Sequence, residues 1–164
     1  MFHNILVSYD GSPHAERALE EAIDLAQLSH ARLTILTAIT RCPAWAYSGP
    51  SVAAAATLST ELENEAANIQ RRAIDRVPDD LPVTKILTHE PIIKALMKQI
   101  NGGRHDLVVM GSRGFGPVRG TLLGSVSQHV LSHSDVPVLI MHAEPAVAEA
   151  APDPVPSATS SQAD

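Results

Sequence analysis

The stretch DLVVMGSRGFGPVRGTLLGSVSQHV, from Asp106 to Val130, decides the fold. Leu107-Val108-Val109-Met110 is a short continuous apolar run of the kind that forms a buried parallel strand. It passes directly into a loop with five glycines: Gly111, Gly114, Gly116, Gly120 and Gly124. From Gly124-Ser125 a helix follows, carrying Val126, Val130 and Leu131. A strand, a glycine-rich turn and a helix in that order form one unit of an α/β sheet.

The same alternation extends in both directions. Upstream, Pro91 opens a helix with Ile92, Ile93, Leu96, Met97 and Ile100 inward, and Gly102-Gly103 closes it. Val83 to Thr88 reads as a strand. Leu58, Leu62, Ala66, Ile69, Ala73 and Val77 step by three or four, marking an amphipathic helix that stops before Pro78. Leu33 to Ile39 is another strand, followed by a long loop, Thr40 to Val52, of a kind that often covers a site. Nearest the N-terminus, Ile5-Leu6-Val7 ends in Asp10-Gly11-Ser12-Pro13, where Ser12 caps a helix and Pro13 suits its first turn. That helix presents Ala15, Ala18, Leu19, Ala22, Ile23 and Ala26 on one face. Downstream, Val136 to Met141 makes a fifth strand, in which Pro137 indicates an edge or strand-start position. The order βαβαβαβαβ predicts an α/β fold: a single doubly wound five-stranded parallel sheet, helices on both faces, strand 1 beside strand 4. Residues 1–143 are expected to form this domain. Residues 144–164, rich in Ala, Pro, Ser and acidic side chains without apolar period, are expected to be a disordered tail.

Bulk properties narrow the function. At 164 residues and 45% hydrophobic, the chain suits one domain with one core. A formal charge of −6 offers no general attraction to nucleic acid or anionic lipid, so no nucleic-acid partner and no membrane insertion are expected. The single cysteine, Cys42, excludes an intramolecular disulfide, and the N-terminal residues lack a signal-peptide pattern, which together point to the cytoplasm.

The chemistry is expected where strands 1 and 4 end. Glycine lets backbone approach a ligand closely, and successive exposed N–H groups can cradle a phosphate. The helix beginning at Gly124-Ser125 offers unpaired N–H groups and a favourable dipole to the same anion, with Ser125 and Ser127 as hydroxyl donors. Arg113 and Arg119 are either phosphate partners or ordinary surface arginines. Asp10 either accepts from ribose hydroxyls or helps hold Mg²⁺, or else stabilises its turn.

Gly111-x-x-Gly114, nine residues, then Gly124-Ser125 resembles the G-2x-G-9x-G-[S/T] motif of ATP-binding universal stress proteins. Ile5-Leu6-Val7-x-x-Asp10-Gly11-Ser12 resembles that family's first strand and turn, and Asp106 to Gly114 its fourth strand; the likeness covers about residues 3–142. The resemblance implies the strand order 3-2-1-4-5, ATP as ligand, and a homodimer paired through the fifth strand, 136–141. It implies Asp10 at the ribose or metal and Ala38 against the adenine. It places Gly111, Ser112, Arg113, Gly114, Gly124, Ser125, Val126 and Ser127 around ribose and phosphates. One departure is His89-Glu90-Pro91, where many members have Gly-Asp-Pro or Gly-Asn-Pro; it bears on the turn before helix 3 and the adenine-side wall.

Other signals carry less. His129 and His133 share a helix face but lack a third metal ligand, so no metal is expected there. No G-x-S-x-G elbow exposes a serine nucleophile. Cys42 reads as an ordinary unpaired thiol, while Trp45 and Tyr47 either stack on a ligand or pin their loop. The favoured reading is an ATP-binding, nucleotide-responsive stress or regulatory protein that is non-catalytic or hydrolyses ATP only weakly. The alternatives are a slow ATPase or a phosphoryl or nucleotidyl transferase, which the absence of a Gly-Lys-Ser/Thr P-loop disfavours, and a partner-binding module without ATP.

Overall fold

Ile5, Leu6 and Val7 are all fully buried, which requires apolar cover on both faces of the strand that holds them. A computed structural model of the chain supplies that cover; it describes residues 1–40, 52–114 and 123–143. Cys42, Trp45 and Tyr47, Arg119 of the glycine-rich segment, and the tail 144–164 lie outside the described residues.

The elements are β1 (Asn4–Ser8), α1 (Pro13–Ser29), β2 (Arg32–Ala38), α2 (Val52–Ile74), β3 (Val83–Thr88), α3 (Ile92–Asn101), β4 (Leu107–Gly111), α4 (Ser125–His133) and β5 (Val138–Met141). The strands form one parallel sheet ordered β3-β2-β1-β4-β5. The fold is therefore the expected α/β fold. β1 lies at the centre, with Val7 registered between Ile35 of β2 and Val109 of β4.

Alternation along each strand divides the core into two layers. Ile5, Val7, Leu33, Ile35 and Val109 pack with Ala18, Leu19 and Ala22 of α1 and Ala73 of α2. Leu6, Leu36, Val108 and Met110 pack on the opposite face with Leu96 and Ile100 of α3 and Val130 of α4. Each fully buried leucine or isoleucine contributes about 1.5–3 kcal/mol relative to exposure. The run of small alanines on α1 lets that helix lie close to the strands, which becomes important at Gly111.

Two elements depart by more than one residue from the expected boundaries. α2 starts and stops earlier than its apolar stripe implied: Leu58 is 42% exposed and Val77 lies in the turn beyond the helix. A helix of 23 residues runs about 35 Å, whereas the seven residues of β2 span about 23 Å, so part of α2 overhangs the sheet. The buried residues of α2 are Ala55 near its start and Ala66, Gln70 and Ala73 in its second half. Gln70 interrupts the apolar pattern because its amide donates to the Ile86 carbonyl of edge strand β3 at 2.8 Å. β5 begins at Val138, not Val136, with Pro137 immediately before it and its carbonyl accepting from Val108 N–H at 3.0 Å. β5 is an edge strand, consistent with a proline at its start. Among the described residues, no helix is long and apolar enough to cross a membrane.

Candidate functional site at the carboxyl edge of β1 and β4

With α1 leading from β1 to one side of the sheet and α4 leading from β4 to the other, the carboxyl ends of these neighbouring strands open a crevice. The turn after β1 contains Gly11 at φ 81°, a left-handed conformation that favours glycine. Asp10 Oδ1 accepts from Ser12 N–H at 2.9 Å and closes the turn. Ser12 Oγ caps α1 by accepting from Ala15 N–H at 3.3 Å, and donates to the Arg113 carbonyl at 3.4 Å. The β1 turn is thus tied to the loop after β4.

The described glycines of that loop differ in what they do. A Cβ on Gly111 would lie 2.8 Å from the His14 carbonyl carbon and 2.9 Å from Ala15 N, so Gly111 serves the packing of α1 on β4. A Cβ on Gly114 would collide with Asp10 Oδ2, which makes Gly114 the point where the two turns meet. At Gly124 the nearest atom to a Cβ would be the Ser112 carbonyl oxygen at 3.4 Å, an ordinary contact.

Ser112 and Ser127 brace the loop. Ser112 is fully buried; its N–H donates to Met141 O at 2.7 Å, and its carbonyl accepts from Gly124 N–H at 2.7 Å. The Ser127 hydroxyl lies 2.8 Å from that same carbonyl and 3.0 Å from Gly124 O. Both ends of the glycine-rich segment are therefore pinned together. The Ser112 hydroxyl sits 3.2 Å from His14 Nδ1.

α4 begins differently from α1. Its N-cap, Gly124, is extended and makes no side-chain capping hydrogen bond, whereas α1 is capped by Ser12. The first N–H groups of α4 lack a side-chain cap and the helix dipole adds partial positive charge, a combination suited to an anion. Arg113 Nε is buried yet has no hydrogen-bond partner among the described residues. A buried unpartnered guanidinium nitrogen is costly unless a ligand satisfies it.

These groups surround a cleft of about 470 Å³. Of the ten residues picked out in the sequence, Asp10, Ala38, Gly111, Arg113, Gly114, Gly124, Ser125, Val126 and Ser127 line it, and Ser112 lies behind it. The cleft also includes Ile39, Thr40, Ile92 and Met110, which the sequence did not point to, and Glu90 and Pro91 of the turn linked to the adenine-side wall. The departure from the family turn at 89–91 was the signal for Glu90. Its carboxylate is held by Lys94 at 3.2 Å and Lys98 at 3.4 Å, and these hydrogen-bonded ammonium groups keep its pKa below the ordinary glutamate value. Tyr9, at the cleft's edge, donates to Glu16, which with Glu20 also binds Arg76. Burial and the Glu16 carboxylate push its phenol above the usual tyrosine range, so Tyr9 remains a neutral donor that fixes the end of β1.

The His129 and His133 rings stack at 4.2 Å and 16°, with His133 Nδ1 2.9 Å from the His129 carbonyl. Among the described residues, no group of three or more His, Cys, Asp or Glu side chains is placed to hold a metal ion.

Comparison with known proteins identifies the family. The universal stress protein family profile matches residues 1–142. A universal stress protein of Thermus aquaticus, from the QAH/OAS sulfhydrylase 3′ region, is 36% identical over 142 residues, 86% of this chain and 99% of the relative. Among solved structures, UspA of Lactobacillus plantarum superposes with a TM-score of 0.69 at 24% identity, covering 85% of this chain and 97% of that one. A universal stress protein crystallised in complex with cAMP gives a TM-score of 0.60 at 29% identity, covering 87% and 99% of the two chains. The chain belongs to the universal stress protein family.

Proposed function

We propose that this protein binds ATP, together with Mg²⁺, in the crevice between β1 and β4, and acts as a nucleotide-responsive stress or regulatory protein without substantial turnover. The observation that carries this reading is the pairing of an α4 N-terminus without a side-chain cap with the orphaned Arg113 Nε, on the wall of a cleft large enough for a nucleotide. A related structure of 29% identity is described in complex with cAMP, which supports a nucleotide as the ligand class.

Each part of the ligand has a matching surface. Ala38 and the neighbouring apolar residues Ile39 and Met110 offer a wall for the base. Arg113-Gly114 and the first turn of α4, Ser125 to Ser127, offer backbone N–H groups and the Ser125 hydroxyl to phosphate, with Arg113 neutralising charge, Gly111 lining the cleft and Ser112 bracing the loop from behind. The Ser127 hydroxyl contributes by bracing the loop. Asp10 keeps one carboxylate oxygen outside its bond to Ser12, an oxygen donor that suits a ribose hydroxyl or a Mg²⁺ otherwise held by phosphates. Bound Mg²⁺ would neutralise phosphate charge.

The domain is taken as residues 1–143, the tail as 144–164, and the compartment as the cytoplasm. An edge strand β5 whose four apolar residues are only half-buried supports a homodimer formed through 136–141.

Excess Mg-ATP incubated with the protein, with released phosphate measured, separates this reading from the slow ATPase. Phosphate release no faster than in a protein-free control fits a binding protein, and sustained multiple turnovers would assign an ATPase instead.

A further inference from the structure

His14 takes no part in the ligand cleft, yet it connects three segments around it. It is the second residue of α1, packed directly behind Gly111. Its Nδ1 lies 2.7 Å from Ala143 N–H, where the chain leaves β5, and 3.2 Å from the Ser112 hydroxyl. An amide N–H is only a donor, so Nδ1 is the acceptor and the ring proton resides on Nε2. Ser112 carries the connection onward, because its carbonyl receives Gly124 N–H and the Ser127 hydroxyl. The exit from β5 and the start of the glycine loop thus meet at one imidazole nitrogen.

We infer that His14 is a positioning residue that, only in its uncharged form, pins the C-terminal end of β5 to the glycine loop, so that acid releases this anchor and loosens the ligand site. An imidazolium would direct a second N–H at the Ala143 N–H across 2.7 Å, and two donors cannot bond. The groups facing His14 favour the neutral form. Its pKa is lowered first by burial, then by Arg113 and His142, with Asp10 opposing. The His142 ring meets it edge-on at 6.3 Å. The first turn of a helix also disfavours a cation. At neutral pH the anchor is closed, and it opens below the ordinary histidine range. The part concerning the ligand rests on the ATP reading; the part concerning Ala143 does not.

The test compares three proteins, with His14 retained, with His14→Asn and with His14→Ala, all carrying His142→Gln so that His14 is the imidazole facing Ala143. Asparagine retains an acceptor oxygen but cannot be protonated. The Ala143 amide resonance and its hydrogen-exchange protection are followed by NMR from pH 7.5 to 5. The protein that retains His14 should show a titration with a midpoint below 6.5 and lose protection in acid. His14→Asn should stay protected throughout, and His14→Ala should be unprotected at every pH. Mg-ATP affinity, taken at each pH relative to His14→Asn to cancel the ligand's own titration, should fall by roughly two- to tenfold across the same interval, the worth of one net hydrogen bond. Identical Ala143 behaviour with His14 retained and with His14→Asn, or no titration in either, overturns the inference. If His14→Ala does not fold, the asparagine comparison still decides. If Mg-ATP does not bind while the Ala143 titration is present, the ligand reading fails and the anchor stands.

Discussion

Gly111→Ala separates the two jobs that glycine performs in this loop. An alanine Cβ at that position would lie 2.8 Å from the carbonyl carbon and Cβ of His14 and 2.9 Å from Ala15 N. Two of those three atoms are backbone of the first turn of α1, which is locked by the Ser12 cap, so they cannot yield as a side-chain tip could. Relief requires α1 to move away from β4, disturbing a layer in which Ala15, Ala18, Leu19 and Val109 are already close-packed. Overpacking of this kind costs about 1–3 kcal/mol. For a domain of this size, that lowers Tm by roughly 2–10 °C. Gly124→Ala is the control from the same motif: its nearest contact would be 3.4 Å, so its stability should stay within about 0.5 kcal/mol of wild type apart from backbone entropy. Urea unfolding of the three proteins at pH 7.5, with a common m value, measures both changes. Gly111→Ala as stable as wild type, or Gly124→Ala destabilised more than Gly111→Ala, would refute the packing argument.

Two further perturbations follow from the site and the core. Arg113→Gln removes the guanidinium, with its orphaned Nε, from the cleft and should weaken Mg-ATP binding by about 1.5–3 kcal/mol while reducing its salt dependence, with unfolding midpoints little changed; an unaltered dissociation constant would remove Arg113 from the site. His105 is 8% exposed, with Nε2 3.1 Å from Thr34 Oγ1 and Nδ1 3.4 Å from the Gln99 carbonyl; burial lowers its pKa, although the carbonyl contact opposes the shift. A depressed folded pKa means that the unfolded chain binds the proton first. The His105 contribution is therefore complete above about pH 6.5 and is lost as pH falls through the folded value, at no more than about 1.4 kcal/mol per pH unit. Urea midpoints of His105→Gln should fall less between pH 7.5 and 5.5 than those of wild type, and parallel curves would contradict this assignment.

What the sequence discloses depends on how local the cause is. The strands were legible because Ile5-Leu6-Val7 and Leu107 to Met110 are apolar runs with punctuating turns, and Ser12 and Pro13 mark the start of α1 at the residue where it begins. The cleft was legible because the glycine spacing is a linear signal, and nine of the ten residues singled out line the cleft. Less visible was why each residue is there. Gly111 is glycine because of α1, a contact between segments nearly a hundred residues apart. The Ser112 hydroxyl meets His14 and the Ser127 hydroxyl meets loop carbonyls, directions that spacing does not encode. Glu90 joins the cleft wall because α3 is brought up to the carboxyl edge of the sheet by a crossover. The α2 boundary was misplaced because periodicity reports an amphipathic face but not how much of a helix the sheet is long enough to cover.

The central claim is an occupied nucleotide site, and titration calorimetry of Mg-ATP into purified, nucleotide-stripped protein tests it most directly. Saturable binding of about one ATP per chain, weakened in Arg113→Gln, is the result this account predicts. No detectable heat or competition at millimolar Mg-ATP, from protein shown to be folded, would contradict it.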